Sequence, residues 1–287
     1  MEHSVDDKAK IIWINGSLIE ESKANVSVFD HGLLTGDGVF ETMIAYQDVP
    51  FAFARHYKRL QNSASAFGLK VPDSDLLREA CINVLEANNL FPSRLRITIT
   101  GGPSPLGSEK GDAPENVIIA SSIAPKQPET SSVITVPYPR NEHGALVGLK
   151  TTSYGENVIA LAEAHSKGAR EAIFGNVSGN LCEGTGSNIF VYYSGKLITP
   201  PLSSGCLAGV TRALVIEICK KLGIPVFEDN TKLEFLEKAE FAFLTSTLRE
   251  VQAIETVNGV MLPLVSSSVI KEIKSEFDRI STSDQDP

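Results

Sequence analysis

The chain has 287 residues, of which 42% are hydrophobic and 21% charged, and a net charge of −9. That is long enough for two domains with separate cores, and the balance is that of a soluble globular enzyme rather than a disordered or fibrous chain. An acidic chain without a basic stripe argues against nucleic-acid binding, four cysteines without C-x-x-C spacing and five scattered histidines argue against a disulfide framework or metal site, and no run reaches membrane-spanning length.

From the N-terminus, Met1 to Lys10 is polar with no apolar signal core, so the cytoplasm is the expected location. Ile11 to Ile14 followed by Asn15-Gly16 predicts a strand entering a hairpin turn. A second strand pair is expected over Val39 to Tyr46 and Pro50 to Phe53. Tyr57, Leu60, Ala64 and Phe67 then recur at helical spacing, and another helix is predicted from about Asp73, with Leu77, Cys81, Val84 and Leu85 on one face. Leu95, Ile97 and Ile99 alternate with Arg94, Arg96 and Thr98, the period of a half-buried strand. Val117 to Ile123 reads as a fully buried one. The expected first domain, residues 1–123, is therefore α+β, with helices on an antiparallel sheet.

A polar, proline-bearing linker at 124–130 separates it from a second domain, 131–287. There, a helix is predicted over Asn157 to Gly168, short strands flank Asn176-Val177-Ser178-Gly179 and Tyr193-Ser194-Gly195, and Thr211 opens a helix that stops at Gly223. Many short strands with few helices suggest a pseudo-barrel. Ser281 to Pro287 is expected to fray.

Two segments carry chemistry. Lys150, in Gly148-Leu149-Lys150-Thr151-Thr152-Ser153-Tyr154, lies between an apolar stretch and small hydroxyl residues, where a desolvated amine can form a Schiff base. Glu183 opens the loop Gly184-Thr185-Gly186-Ser187, a lone carboxylate suited to a protonated pyridine nitrogen. Gly205-Cys206-Leu207-Ala208-Gly209-Val210-Thr211-Arg212 places glycine and a threonine N-cap at the head of a helix, where backbone N–H groups and the helix dipole favour a dianion. Taken singly, each residue has an ordinary role: Lys150 on the surface, Glu183 in a turn, Thr211 as a cap, Arg59 on a solvated helix face.

Their order along the chain resembles the fold type IV pyridoxal 5'-phosphate enzymes, which include branched-chain aminotransferases, D-amino acid transaminases and aminodeoxychorismate lyases. The resemblance spans roughly residues 11 to 260. It implies a two-domain α+β architecture, a small domain followed by a larger pseudo-barrel domain, with pyridoxal phosphate as cofactor and Lys150 as the catalytic lysine. It further implies that Glu183 holds the ring nitrogen, Leu207 packs on the pyridine ring, and Val210, Thr211, Thr247 and Arg59 hold the phosphate. Tyr154 would bond the phenolic oxygen, while Phe40, Arg96 and Leu248 would line the substrate side. A homodimer acting on small amino and keto acids is implied as well. His31 is expected to be structural, and the glycine-rich run Gly101 to Gly107 lacks the following helix that a phosphate cradle needs.

The same residues leave the reaction open. D-amino acid transaminases carry an arginine and a histidine two apart where this chain has Leu106 and Ser108. Branched-chain enzymes carry Gly-Gly-Asn-Tyr just beyond the lysine, where this chain has Thr152-Ser153-Tyr154, and have an arginine at the position of Arg96. The segments Thr245 to Glu250 and Thr100 to Ser108 look like those of aminodeoxychorismate lyases, yet Glu41 stands where the best-known lyases carry threonine. Transamination between a small amino acid and a 2-keto acid is the expectation. Lyase chemistry giving pyruvate and 4-aminobenzoate is the alternative, and a pyridoxal phosphate-binding protein without turnover is an alternative of another class.

Overall fold

The computed structural model describes residues 11–265 and 267–287, so the polar start Met1 to Lys10 lies outside the described residues. The chain divides into two compact units. The first comprises the described residues up to Lys126 together with Leu149–Ser153 and Asp284–Pro287; the second comprises Gln127–Gly148 and Tyr154–Ser283. The lysine segment thus sorts with the first unit, although its place in the sequence lies within the expected second domain.

In the first unit, β1 (Ile11–Ile14) and β2 (Ser17–Glu20) form a hairpin. Asn15 and Gly16 both have positive φ, 49° and 98°, the conformation a two-residue hairpin loop requires. After a single helical turn, α1 (His31–Leu34), come β3 (Gly38–Ala45), α2 (Phe53–Phe67), α3 (Ser74–Asn88), β4 (Ser93–Thr100) and β5 (Asn116–Ile123). The strands form one antiparallel sheet in the order β2-β1-β5-β4-β3. Alternation along β4 buries Leu95, Ile97 and Ile99 against the helices, and Arg94 and Arg96 stay exposed on the other face. Phe53, Leu60, Ala64, Leu77, Cys81, Val84 and Leu85 supply the helical side of that core.

Three expectations need correction here. Pro50 to Phe53 is not a strand: the chain turns, Ala52 adopts a left-handed N-cap conformation (φ 55°), and α2 starts at Phe53. The strand β5 is buried on one face, not two, since Val117, Ile119 and Ser121 point into the core and their neighbours are half-buried. The chain end does not fray. Gln285 O accepts from Ala52 N at 2.7 Å, Asp286 accepts from Ala54 N at 2.8 Å and pairs with Arg78, and Pro287 O accepts from Arg55 Nε at 2.6 Å. These acceptors satisfy N–H groups at the head of α2, where no local side chain does so.

In the second unit, β6 (Thr130–Thr135), β7 (Glu171–Gly175), β8 (Leu181–Gly184), β9 (Asn188–Tyr193), β10 (Lys196–Thr199), β11 (Val226–Glu228), β12 (Phe241–Ser246), β13 (Glu250–Val257) and β14 (Val260–Met261) build a mixed sheet. Its order is β11-β10-β9-β12-β13-β6-β7-β8, with β14 on β13, and it curves into a half-barrel. Its helices are α4 (Gly155–Ser166), α5 (Val210–Leu222) and α6 (Ser268–Ser283). Ala160 and Ala164 of α4 pack with Ile134, Ala172 and Phe174, small residues that let the helix lie close to the strands. Thr211 is not the N-cap of α5: that position is Gly209, with no capping side chain, and Thr211 is the second helical residue. A Cβ at Gly209 would sit 1.9 Å from Asn188 Oδ1, so only glycine allows this approach. Among the described residues no helix is long and apolar enough to cross a membrane.

Candidate functional site

In the first unit, Lys150 lies on a short extension of the sheet. Lys150 O accepts from Phe40 N at 3.0 Å, Thr152 N donates to Gly38 O at 2.8 Å, and Thr151 bridges Val39 antiparallel, so the segment forms a further edge beside β3. Lys150 N donates to Ser63 Oγ of α2 at 3.0 Å. The lysine is therefore fixed by its backbone, and its Nζ stands 4.3 Å from the centroid of the Phe40 ring. The guanidinium of Arg96 stands 3.8 Å from the same centroid, and Arg96 Nε donates to Thr98 Oγ1 at 3.1 Å. One buried aromatic thus carries two cations, an arrangement that ring electrostatics favours. Of the three residues expected on the substrate side, Phe40 and Arg96 meet here beside Lys150; Leu248 belongs to the second unit.

Beneath this face lies a charged cluster that motif reading missed. Glu41 is fully buried, accepts from Arg59 Nε and Nη2 at 2.7 Å each, and accepts from His56 Nδ1 at 2.7 Å. Burial opposes its charge, but the Arg59 guanidinium and the bonds from Arg59 and His56 outweigh that. The carboxyl is held well below the ordinary carboxylate range. Burial pushes His56 below the usual histidine value, so it serves as a neutral donor. Arg59 spends two of its nitrogens on Glu41, and its phosphate role rests on the resemblance alone. Sequence carried one usable signal for the cluster: Glu41 sits in phase with Val39 and Met43 on an apolar strand face.

His31 proves to be structural, as expected. Its Nδ1 faces Asp37 Oδ2 and its Nε2 faces Gly107 O, both at 2.9 Å, and the bonds to Asp37 and then Gly107 raise its pKa. It pins the loop after β4 to α1.

In the second unit, Glu183 on β8 is held between two donors. Leu207 N donates to Oε2 at 2.9 Å, and Arg140 Nε approaches Oε1 at 3.4 Å, an ionic contact without hydrogen-bond geometry. Arg140 also donates to Glu156 Oε2 at 2.9 Å and Asn157 Oδ1 at 2.8 Å and lies over Phe174, 4.1 Å from its centroid. No motif marks Arg140, since its partners are contributed by α4 and β8. Leu207 O accepts from Asn188 Nδ2 at 2.8 Å, and two residues further on Gly209 starts α5. Val210 and Thr211 are buried in the first turn of that helix. Thr245, paired with Asn188 across β12 and β9, has a buried hydroxyl without a hydrogen-bond partner. Thr247 and Leu248 lie half-buried in the turn between β12 and β13, and Tyr154 is the N-cap residue of α4.

The geometry of this unit fits an elongated ligand with a cation at one end and a dianion at the other. A carboxylate fixed by Leu207 N–H faces the first, and an uncapped helix N-terminus with an orphaned hydroxyl nearby suits the second. The family model described as "Amino-transferase class IV" matches residues 38–257. The chain belongs to the class IV aminotransferases. As such, it is 36% identical over 280 residues to a Methanocaldococcus jannaschii relative described as "Putative branched-chain-amino-acid aminotransferase", covering 94% of this chain and 96% of the relative. Among solved class IV structures, the branched-chain aminotransferase of the thermophilic archaeon Thermoproteus uzoniensis, crystallised with norvaline, superposes with a TM-score of 0.89. It is 31% identical and covers 96% of this chain and 96% of its own. A Legionella pneumophila structure described as "Putative 4-amino-4-deoxychorismate lyase" gives 0.85 at 25% identity, covering 90% of this chain and 96% of its own.

Proposed function

We propose that this class IV aminotransferase uses pyridoxal 5'-phosphate to move an amino group between a small, branched-chain-type amino acid and a 2-keto acid. The observation that carries the cofactor is the pairing, through Leu207, of the Glu183 carboxylate with the uncapped N-terminus of α5. Leu207 stands between them to pack on a ring, and Val210, Thr211 and Thr247, with Arg59, are assigned to the phosphate. Bound there, the cofactor supplies an electron sink for the charge left at the substrate Cα. Lys150 is the amine that holds it, and Lys150 Nζ takes the proton from the substrate Cα and returns it during transfer. Glu183 holds the proton on the ring nitrogen, and Tyr154 is assigned to the phenolic oxygen. The relatives named as branched-chain enzymes support transamination, and the structural likeness to a protein described as a lyase keeps pyruvate elimination as the second reading.

A homodimer fits the surface of the first unit, where Val28, Phe29, Leu33 and Leu106 are 51–74% exposed on segments joined by the bond from Ser104 N to Phe29 O. The test is purified chain loaded with pyridoxal phosphate and supplied with L-leucine, L-isoleucine, L-valine or D-amino acids plus 2-oxoglutarate, and separately with aminodeoxychorismate. Keto acid from the branched L-amino acids is expected, with light scattering at twice 30.9 kDa. Release of 4-aminobenzoate without any keto-acid acceptor would replace the proposal by the lyase. Cofactor uptake without turnover on any substrate would leave a binding protein.

Glu183→Gln keeps the shape but removes the charge that holds the ring proton. Turnover should fall about a hundredfold or more with pyridoxal phosphate still bound. Parent-rate turnover in the loaded variant would mean that the ring's partner lies elsewhere.

Arg96 sits on the same sheet face as Phe40 and Lys150, and its planar fork suits a substrate carboxylate. Arg96→Met should raise KM for 2-oxoglutarate about tenfold or more while leaving KM for monocarboxylic keto acids within a fewfold. Equal effects on both classes would return Arg96 to a solvated, purely structural place.

A further inference from the structure

Glu171, the first residue of β7, is a fully buried carboxylate that neither the family motifs nor the proposed chemistry use. Its Oε1 accepts from Ala172 N at 3.1 Å, from Thr185 N at 3.0 Å and from Thr185 Oγ1. Its Oε2 accepts from Ser187 Oγ at 3.0 Å and stands 3.4 Å from Arg249 Nη2. Thr185 and Ser187 belong to the loop between β8 and β9, which directly follows Glu183. Arg249 belongs to the turn between β12 and β13, which carries Thr247. The two connections emerge at the same end of the sheet, because Asn188 at the start of β9 pairs with Thr245 near the end of β12.

Arg249 is itself held on all sides. Its N–H donates to Ser246 Oγ at 3.2 Å, which tightens the turn around Thr247. Its Nη1 donates to Gln252 Oε1 at 2.6 Å and Ser131 Oγ at 3.4 Å, and its Nη2 donates to Arg170 O at 3.1 Å. A carboxylate in an apolar strand needs its lone pairs filled and a counter-charge nearby. Here the loop hydroxyls and amides fill the lone pairs, and the turn supplies the charge.

We propose that Glu171 and Arg249 are positioning residues: a buried ion pair that ties the phosphate-side turn, Ser246–Arg249, to the loop that presents Glu183. The pair sets the spacing between the two ends of the cofactor site. The inference rests on the pyridoxal phosphate reading above and adds residues that reading does not contain. It distinguishes pyridoxal phosphate, which must touch both ends at once, from inorganic phosphate, which needs one.

The test uses the full chain as apo- and holoprotein, with Arg249→Met to remove the charge and Arg249→Lys to keep it. In the apoprotein, Arg249→Met should speed amide exchange at residues 184–187, more than 60 positions away, while exchange in α2, α3 and α6 stays at the parent rate. Pyridoxal phosphate affinity should fall about tenfold, inorganic phosphate affinity by less than about threefold, and Arg249→Lys should recover part of the loss. Equal weakening of both ligands would make Arg249 a simple phosphate-turn residue and overturn the coupling. Unchanged exchange at 184–187, or exchange raised everywhere, would overturn it as well. A parent chain that takes up no pyridoxal phosphate would remove the functional reading and the cofactor half of this proposal together. Loss of the exchange effect in a parent that does bind removes the coupling alone.

Discussion

Lys150→Ala should abolish amino transfer, lowering turnover on the order of 10⁴-fold or more, with the protein still folded. The contacts that place this residue are made by its backbone. Its carbonyl accepts from Phe40 N, its N–H donates to Ser63 Oγ, and the neighbouring Thr152 N–H donates to Gly38 O. Alanine keeps all of these, so the sheet edge beside β3 persists. What disappears is the amine poised over Phe40, 4.3 Å from the ring centroid, and no other lysine sits in this segment. Lys150→Arg keeps a cation near the ring but cannot supply a neutral amine at neutral pH, so it should be equally inactive. Turnover of the loaded variants, measured beside their thermal midpoints, decides the matter. Near-parent turnover in a folded Lys150→Ala protein would remove this lysine from the chemistry.

Glu41→Ala should be the most destabilising single change in the first unit, costing about 3–5 kcal/mol, because it strands Arg59 and His56 without their buried partner. Glu41→Gln retains one acceptor and should cost less. Trp13, the only tryptophan, lies buried in β1 of the same unit, so its fluorescence in urea reports the loss directly. A cost below about 1 kcal/mol for Glu41→Ala would show that the pair is solvated rather than sealed.

The pH dependence has a definite sign. The folded-state pKa of Glu41 lies below its ordinary 4.5, so its stabilisation is complete above about pH 4.5 and is lost as pH falls through the folded value. His56, with a folded pKa below 6.5, adds loss in the same direction, since the unfolded chain takes up its proton first as pH falls below 6.5. Parent stability should therefore decline from pH 6.5 downward and more steeply below 4.5. The Glu41→Gln protein should lose the second, steeper part. An unchanged acid slope in that variant would assign the steep decline to other carboxylates.

Local periodicity and turn chemistry were enough to read β1, the Asn15-Gly16 turn, α3 with its Asp73 cap, and the alternation of β4. Each depends on residues within a few positions of one another, which is the range over which backbone preference and amphipathic spacing act. The same range explains the misreadings. Pro50 to Phe53 looked like a strand because its apolar residues fill a core, and what turns it into the head of α2 is a set of acceptors from Gln285 and Asp286, more than 230 positions away. The chain end looked frayed for the complementary reason.

Motif order likewise marked Lys150 and Glu183, since the chemistry asks for one residue type at one place. Tertiary structure alone decided what surrounds them. Lys150 joins a sheet edge formed more than a hundred residues earlier; Glu183 lies between Leu207 N–H and Arg140; Glu171 meets Arg249 across the ends of β7 and β12. A sequence of one chain states which charges are present but not which ones fold to within 4 Å of each other. Burial, which makes those pairs strong and their loss costly, exists only once the strands have closed over them.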